Sequence, residues 1–491
     1  MEVFKNLEPA SVWYYFNKIL QIPRPSNQEE QIREYLIKFG SEFNLPIKVD
    51  SVGNVLISKP ATKGMENIKS VLLQSHMDMV CEKNSDTEFD FNTDPIVAWS
   101  DNEWIRAKGT TLGADDGIGI AAQLALLAAT NISHGPIECL FTVAEETGLT
   151  GAFGLEAGFF QSEILLNLDS EDEGELFIGC AGGIDLTAKF DFTKQEIPDG
   201  YDALKISLTG LQGGHSGDDI HKGRGNSNKL LVRFLWEYAD DFNILIHSLE
   251  GGNLRNAIAR EANAIILLPA AKTSDLMKII EDFRDILKNE FVVTEPNLNL
   301  TCKKTAMPDW VIDEDCQANL LNGLYACPHG VYSWSQTMPD MVETSTNLAA
   351  VKFIDDQIVV TTSQRSSLES AKQNIANMVD SAFILAGADT ERGSGYPGWN
   401  PNPKSEIVEI TAGIYKSLFN SEPIVRAIHA GLECGLFLEK YPNLDMISFG
   451  PTIRGAHSPD ERLEITTVTK FWDLLIEVLK QIPPNEQSGN N

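Results

Sequence analysis

"VLLQSHMDMV", residues 71–80, is an apolar run that stops on His76 and Asp78. A short, unbroken apolar segment reads as a strand buried on both faces, the kind found in parallel sheets. Packing alone gives such a strand no reason to finish on an imidazole and a carboxylate two residues apart. One such pair, taken singly, is more often a strand end reaching water, so the rest of the chain has to decide.

Outward from this strand, four more acidic or histidine-bearing segments follow predicted apolar strands or occupy the turns just after them. They are "GADDG" with Asp115 and Asp116, "AEETG" with Glu145 and Glu146, "NLDSED" with Asp169, and "RGAHSPDE" with His457. Each has an ordinary explanation. Asp beside Gly is good turn chemistry, paired Glu residues favour a helix start, and Ser-Pro-Asp makes a turn. In open α/β sheets, however, ligands bind beyond the carboxyl ends of the strands, where side chains from distant positions converge. So many carboxylates at one rim are costly unless a cation neutralises them. Two histidines and three carboxylates suit a pair of divalent ions about 3.5–4 Å apart with one carboxylate bridging. Imidazole mixed with carboxylate favours zinc, and manganese or cobalt fit the same donors.

The first third alternates helical patterns, such as "PASVWYYFNKIL" and "NQEEQIREYLIKFG", with strand patterns, such as "NVLIS", "PIECLFTVA" and "ILLNLDS". That alternation predicts an α/β catalytic domain whose mostly parallel central sheet is flanked by helices. From about Gly183 the texture changes to an α+β unit inserted into the first. The expected boundaries are 1–185 and 399–491 for the catalytic domain and 186–398 for the insertion. The Gly- and Pro-rich "ERGSGYPGWNPNP" (391–403) reads as a linker, and the tail "PPNEQSGNN" as disordered.

At 491 residues two or more domains are expected. A hydrophobic share of 43% with 22% charged residues belongs to a soluble globular chain. A net charge of −31 repels phosphate backbones and anionic lipid, which argues against nucleic-acid and membrane-surface binding. "IGIAAQLALLAA" (118–129), interrupted by Gln123, is too short to span a bilayer, and the first residues lack a signal-peptide pattern. Seven scattered cysteines suggest neither a disulfide framework nor a zinc finger, and a reducing cytoplasm is the expected compartment. The Gly-rich "GADDGIGIA" and "GLTGAFG" match no nucleotide-binding pattern.

In order along the chain, "SHMDMV", "TLGADDGIGIA", "FTVAEETGLTGA", "LNLDSEDEGELFIGCAGG", "GLQGGHSGDDI", "GGNLRNAIAREA" and "FGPTIRGAHSPDERLEI" resemble the co-catalytic zinc metallopeptidases of aminoacylase type. "SGYPGWNPNP" and "IHAGLECGLF" are similar to their aminoacyl-histidine dipeptidase branch. The resemblance implies two zinc ions per subunit. His76 and Asp169 would hold one, Glu146 and His457 the other, and Asp115 would bridge them. It implies Asp78 as the orienter of His76, Glu145 as the general base, and Asp116 as a structural residue of the turn. It also implies that the inserted domain is a lid and dimer contact, with His215 stabilising the oxyanion and Asn256 and Arg365 binding substrate. The expected substrates are unblocked dipeptides, Xaa-His among them. An N-acyl-amino-acid amidohydrolase and a catalytically silent metal-binding relative are the alternatives. His134, His221, His247, His329 and His429 have no metal-like pattern and read as surface or core residues, with His429 in "IHAGLEC" a candidate for the substrate's vicinity.

Overall fold

The computed structural model describes residues 3–402 and 404–485. The chain forms two compact units. One comprises Met1–Gly179, Pro401–Ala427 and Glu433–Asn491, and the other Cys180–Asn400 with Ile428–Leu432.

The first unit is built on an eight-stranded sheet in the order Ile47–Val49, Val55–Lys59, Ile137–Thr142, Val71–His76, Ile164–Asn167, Asp445–Ser448, Glu175–Cys180, Ile424–Ile428. Its centre is parallel: Val71–His76 lies between Ile137–Thr142 and Ile164–Asn167, and Asp445–Ser448 follows. The edge formed by Val55–Lys59 and Ile47–Val49 is antiparallel. The central strands are buried on both faces, in keeping with their Val-, Leu- and Ile-rich sequences. Register sets what happens at their carboxyl ends. His76 lies opposite Thr142, Gln74 opposite Asn167, and Asn167 opposite Ser448, so the polar strand ends form one row.

Helix Ala114–Ala128 is apolar almost all round and correspondingly buried. It packs against Ala10–Ile19 and the strand Val71–His76. Helices Glu406–Phe419 and Ile465–Gln481 add Ile407, Ile414, Phe471 and Leu475 to the core containing Leu73, Phe141 and Leu166. A smaller antiparallel sheet joins Ile453–Arg454, Arg462–Glu464, Trp104–Ala107 and Ala98–Ser100.

The second unit is an antiparallel sheet in the order Asn299–Lys304, Tyr201–Thr209, Ala262–Pro269, Leu245–Gly251, Val342–Ile354, Gln357–Ser366, Gly182–Asp191, Asp389–Arg392, with Gly330–Trp334 beside Val342–Ile354. Burial alternates along Gly182–Asp191, with Leu186, Ala188 and Phe190 in the core and their neighbours partly exposed. That is the pattern of a sheet covered on one face. Helices Ser227–Phe242, Thr273–Glu290, Glu314–Ala326 and Glu369–Leu385 supply the other side of this core. Two start on side-chain caps, Asn226 accepting from Lys229 N and Asp313 from Cys316 N.

Two local expectations change. Within the expected linker 391–403, residues 391–399 are not free, and Pro403 lies outside the described residues. Glu391 and Arg392 pair with Thr187 and Leu186, while Tyr396 and Trp399 pair through their backbones with Gly183 and Cys180. Glycine makes this possible, since a Cβ on Gly182 would lie 2.4 Å from Gly398 N. In the tail, Pro483 and Asn485 hydrogen-bond to Lys69 and Asn67, so its beginning is structured. Residues 486–491 lie outside the described residues.

Candidate metal centre

His76 is the last residue of its strand, and its ring is almost completely buried. Its Nε2 lies 2.9 Å from Asp115 Oδ1 and 3.3 Å from Asp169 Oδ1. His457 Nε2 lies 3.1 Å from Asp115 Oδ2 and 3.1 Å from Glu146 Oε2. Each oxygen of Asp115 therefore faces its own histidine, and each histidine faces one further carboxylate. Asp169 follows the strand Ile164–Asn167 by two residues, and Glu146 sits in the turn after Ile137–Thr142. Asp115 stands in the first turn of helix Ala114–Ala128 with non-helical dihedrals, and His457 lies in a tight turn at φ 63°. Left-handed backbone at Ala144 (φ 47°) turns the chain so that Glu145 and Glu146 follow directly from the strand end.

Asp78 joins two of these segments. Its Oδ1 is 3.3 Å from His76 Nδ1 and accepts the Glu145 N–H at 3.0 Å, while Oδ2 accepts the Glu146 N–H and the Ser26 hydroxyl. A carboxylate on Nδ1 leaves Nε2 as the lone-pair nitrogen directed at Asp115. Asp116 accepts the Gly119 N–H and holds the turn.

The electrostatics of the cluster are unfavourable in the protein alone. Burial, with the charges of Asp115 and Glu146 added, lifts Asp169 to about 7. Burial and Asp115 likewise raise Glu146. Burial also drives Glu145 well above the ordinary carboxyl range, reinforced by Asp169, Glu146 and Glu433. Opposing this, hydrogen bonds that His457 donates to Asp115 and Glu146 raise it to about 11. Burial disfavours ionisation of Asp115, but His457 and His76 override it and hold this carboxyl below its usual range.

The donor set fits divalent metal. Ligand atoms of His76, Asp115 and Glu146 fall within 4.8 Å of one another, and Glu146 Oε1 is buried without a hydrogen-bond partner among the described residues. Among the described residues the ion pairs of Asp115, Glu146 and Asp169 are with His76 and His457 alone, which cannot neutralise three carboxylates while acting as neutral ligands.

One buried acid near this cluster was not singled out in the sequence. Glu433 accepts from Gln74 Nε2 at 2.6 Å and from Thr142 Oγ1 at 2.7 Å. Gln74 in turn accepts from Asn167, which accepts from Ser448. This chain of polar side chains crosses the parallel strands two or three residues before the His76, Glu145 and Asp169 positions. Burial pushes Glu433 up to about 8. Its only signal in the sequence is a lone acid in the mostly apolar "IHAGLECGLF", which reads equally as a helix start.

His215, Asn256 and Arg365 belong to the second unit. His215 Nδ1 accepts N–H bonds from Gly217 and Asp218, so the ring proton sits on Nε2. The Asn256 carbonyl accepts the Ser216 N–H, and its side chain is exposed. Arg365 is buried, donates from Nη1 to Tyr396 Oη at 3.0 Å and keeps Nε unpartnered among the described residues. His429 is buried against Ser345 Oγ at 2.7 Å, and burial together with nearby Arg365 and His215 lowers it to about 3, so it is neutral. His134, His247 and His329 bond to backbone groups within their own units.

The sequence pattern of Peptidase family M20/M25/M40 matches residues 72–481. Over 483 residues the chain is 46% identical to the cytosol non-specific dipeptidase of Escherichia coli, covering 98% of this chain and all of that one. The crystal structure of the aminoacylhistidine dipeptidase from Vibrio alginolyticus superposes with a TM-score of 0.88 at 46% identity, over 98% of both chains. Aminopeptidase PepT from Bacillus cereus shares the fold at a TM-score of 0.57 and 16% identity, covering 97% of this chain and 99% of its own.

Proposed function

Since this chain belongs to the metal-dependent peptidase family M20/M25/M40, we propose that it is a dipeptidase hydrolysing the peptide bond of unblocked dipeptides, Xaa-His among them. The observation that carries the proposal is Asp115, whose two oxygens face two separate histidine–carboxylate pairs. End-to-end similarity to two dipeptidases supports the substrate class.

In this reading His76 and Asp169 would hold one zinc ion and Glu146 and His457 a second, with Asp115 shared between them. Manganese and cobalt are the alternative ions. When bound, the metals supply Lewis acidity to the scissile carbonyl and lower the pKa of water. Glu145 takes the proton from the attacking water and delivers it to the departing amine. Its environment favours this task, because burial and neighbouring carboxylates raise its proton affinity. Asp78 keeps His76 in one tautomer and ties it to the backbone that carries Glu145. In the inserted unit, His215 would offer its Nε2 proton to the oxyanion, while Asn256 and Arg365 would bind substrate. A guanidinium suits a free carboxylate, which it grips with two parallel bonds.

A cytoplasmic homodimer associating through the inserted unit completes the proposal. No disulfide joins cysteines among the described residues, and no helix there is long and apolar enough to cross a membrane.

The experiment is a matched panel offered to the zinc-loaded protein: β-alanyl-histidine, an α-aminoacyl-histidine, a neutral dipeptide, a tripeptide and an N-acetyl amino acid. Cleavage of the dipeptides, abolished by chelator and restored by zinc, is the expected result. Cleavage of the N-acetyl compound alone would make it a deacylase, and bound metal without any turnover would make it a silent relative.

A further inference from the structure

Building on the metal-centre reading, we infer that Glu461 is a positioning residue that fastens His457 to Asp115, so that the two ends of the metal centre move as one piece. Glu461 is buried, with both carboxylate oxygens engaged. Oε2 accepts the N–H groups of Leu112 at 2.7 Å and Gly113 at 2.9 Å. Oε1 accepts those of Ala114 at 2.7 Å and Asp115 at 3.4 Å. These amides open helix Ala114–Ala128, where the backbone has no helical partners and a negative charge is favoured. With both oxygens filled by amides, Glu461 is unsuited to serve as a further metal ligand.

The same loop is gripped from its carbonyl side. Arg24, buried as well, donates from Nη1 to the carbonyls of Met77 and Asp78 at 3.0 and 2.6 Å, and from Nη2 to the carbonyl of Gly113 at 2.5 Å. Gly113 thus gives its N–H to Glu461 and its C=O to Arg24. A Cβ at this position would lie 2.7 Å from Arg24 Nη2 and 2.8 Å from Met79 Sδ, so the grip depends on glycine. Arg24 and Glu461 have opposite formal charges and leave the cluster's balance unchanged. Their contribution is geometric, holding the backbones of Asp78 and Asp115 in place.

The consequence falls on His457. Its side chain is 53% exposed, and its backbone lies in the left-handed region, so packing does little to hold it. The ring is carried by the turn between Ile453–Arg454 and Arg462–Glu464, and Glu461 stands at the far end of that turn, its N–H on Ser458 O. The Glu461 carboxylate therefore links the only half-exposed donor of the proposed set to the backbone of the bridging one. Ligands held in place before the ion arrives bind it with less ordering cost, and residues behind the ligands typically alter metal affinity about 10- to 100-fold.

Glu461→Gln keeps the shape, loses the charge and turns an NH2 group toward amide donors. Glu461→Asp keeps the charge on a shorter stem. Zinc titration of the metal-free protein by calorimetry should show the weaker binding step loosened about 10- to 100-fold in E461Q and by less in E461D. Activity should move to correspondingly higher free zinc, recover at saturation and keep the wild-type dipeptide KM. The thermal upshift on adding zinc should shrink. Unchanged zinc affinity, with melting lowered equally in metal-free and loaded protein, would overturn the inference. Failure of both variants to fold would overturn it too, because the carboxylate would then serve the fold itself. Affinity is read without turnover, so a wild type that binds two zinc ions yet cleaves no dipeptide would defeat the dipeptidase reading while leaving this one standing.

Discussion

In the unit that carries His76, buried acids stand against one another: Asp115, Asp116, Glu145, Glu146, Asp169 and Glu433 answer mainly to His76 and His457. In the inserted unit, several buried basic groups are met by neutral partners instead of by acids. Lys229 Nζ donates to the carbonyls of Leu324, Tyr325 and Cys327, Arg365 donates to Tyr396, and burial keeps His429 and His329 neutral, at about 3 and about 4. Topology underlies the difference. Parallel strands bring residues from distant stretches to one rim, whereas neighbouring antiparallel strands send their carboxyl ends to opposite edges of the sheet. One unit gathers mutually repelling buried acids whose proton affinity rises in consequence, and the other sets buried basic groups against neutral partners. Unbalanced buried charge of that kind is what functional sites characteristically show.

The sharpest way to break this contrast is Glu145→Gln. Loss of a general base lowers turnover by about 10²- to 10⁴-fold, and bound metal, measured by elemental analysis, should stay at the wild-type level. Substantial residual turnover would remove Glu145 from the role.

A smaller effect is expected in the other unit. Arg365→Lys should raise KM about 10- to 100-fold, the equivalent of a charge-assisted hydrogen-bond pair at about 1.5–3 kcal/mol. Metal content should not change, and steady-state kinetics alongside zinc analysis test both points. Lost metal would mean that the two units are not separable in this way.

The most gradual effects are in stability, and they have opposite signs. Burial raises Glu433 to about 8 in the folded protein, so the folded state holds a proton that the unfolded chain releases near pH 4.5. That contribution is complete below the unfolded value and is lost as pH rises toward 8, with a slope of up to about 1.4 kcal/mol per pH unit. His429, lowered to about 3, acts the other way: its contribution is present above pH 6.5 and is lost as pH falls toward 3. Melting of the metal-free protein across this range should flatten on the alkaline side in Glu433→Gln and on the acid side in His429→Gln. Unaltered slopes would mean that neither group is held as buried.

Strand and helix periodicity made the α/β character readable before any coordinates, because neighbours along the chain encode it. The segments bearing His76, Asp115, Glu146, Asp169 and His457 stood out for the same local reason, each a polar interruption at the end of an apolar run. The segment 391–403 misled because Gly and Pro report turn chemistry and not what the turn packs against. Its pairing with Gly183 and Cys180 depends on glycines some two hundred residues earlier. Arg24 and Glu461 were illegible in a stricter sense. Their partners are backbone amides and carbonyls, which every residue possesses, so no side-chain pattern could announce them.

By itself, the sequence determined where strands end, which of those ends carry donors, and how negative the chain is. Only the tertiary structure decided that Asp115 turns one oxygen to His76 and the other to His457. That choice follows from the alignment of strands distant in sequence and from the anchoring of a turn more than three hundred residues away. Such contacts are set by packing and backbone hydrogen bonding between segments, and not by the residues on either side of Asp115.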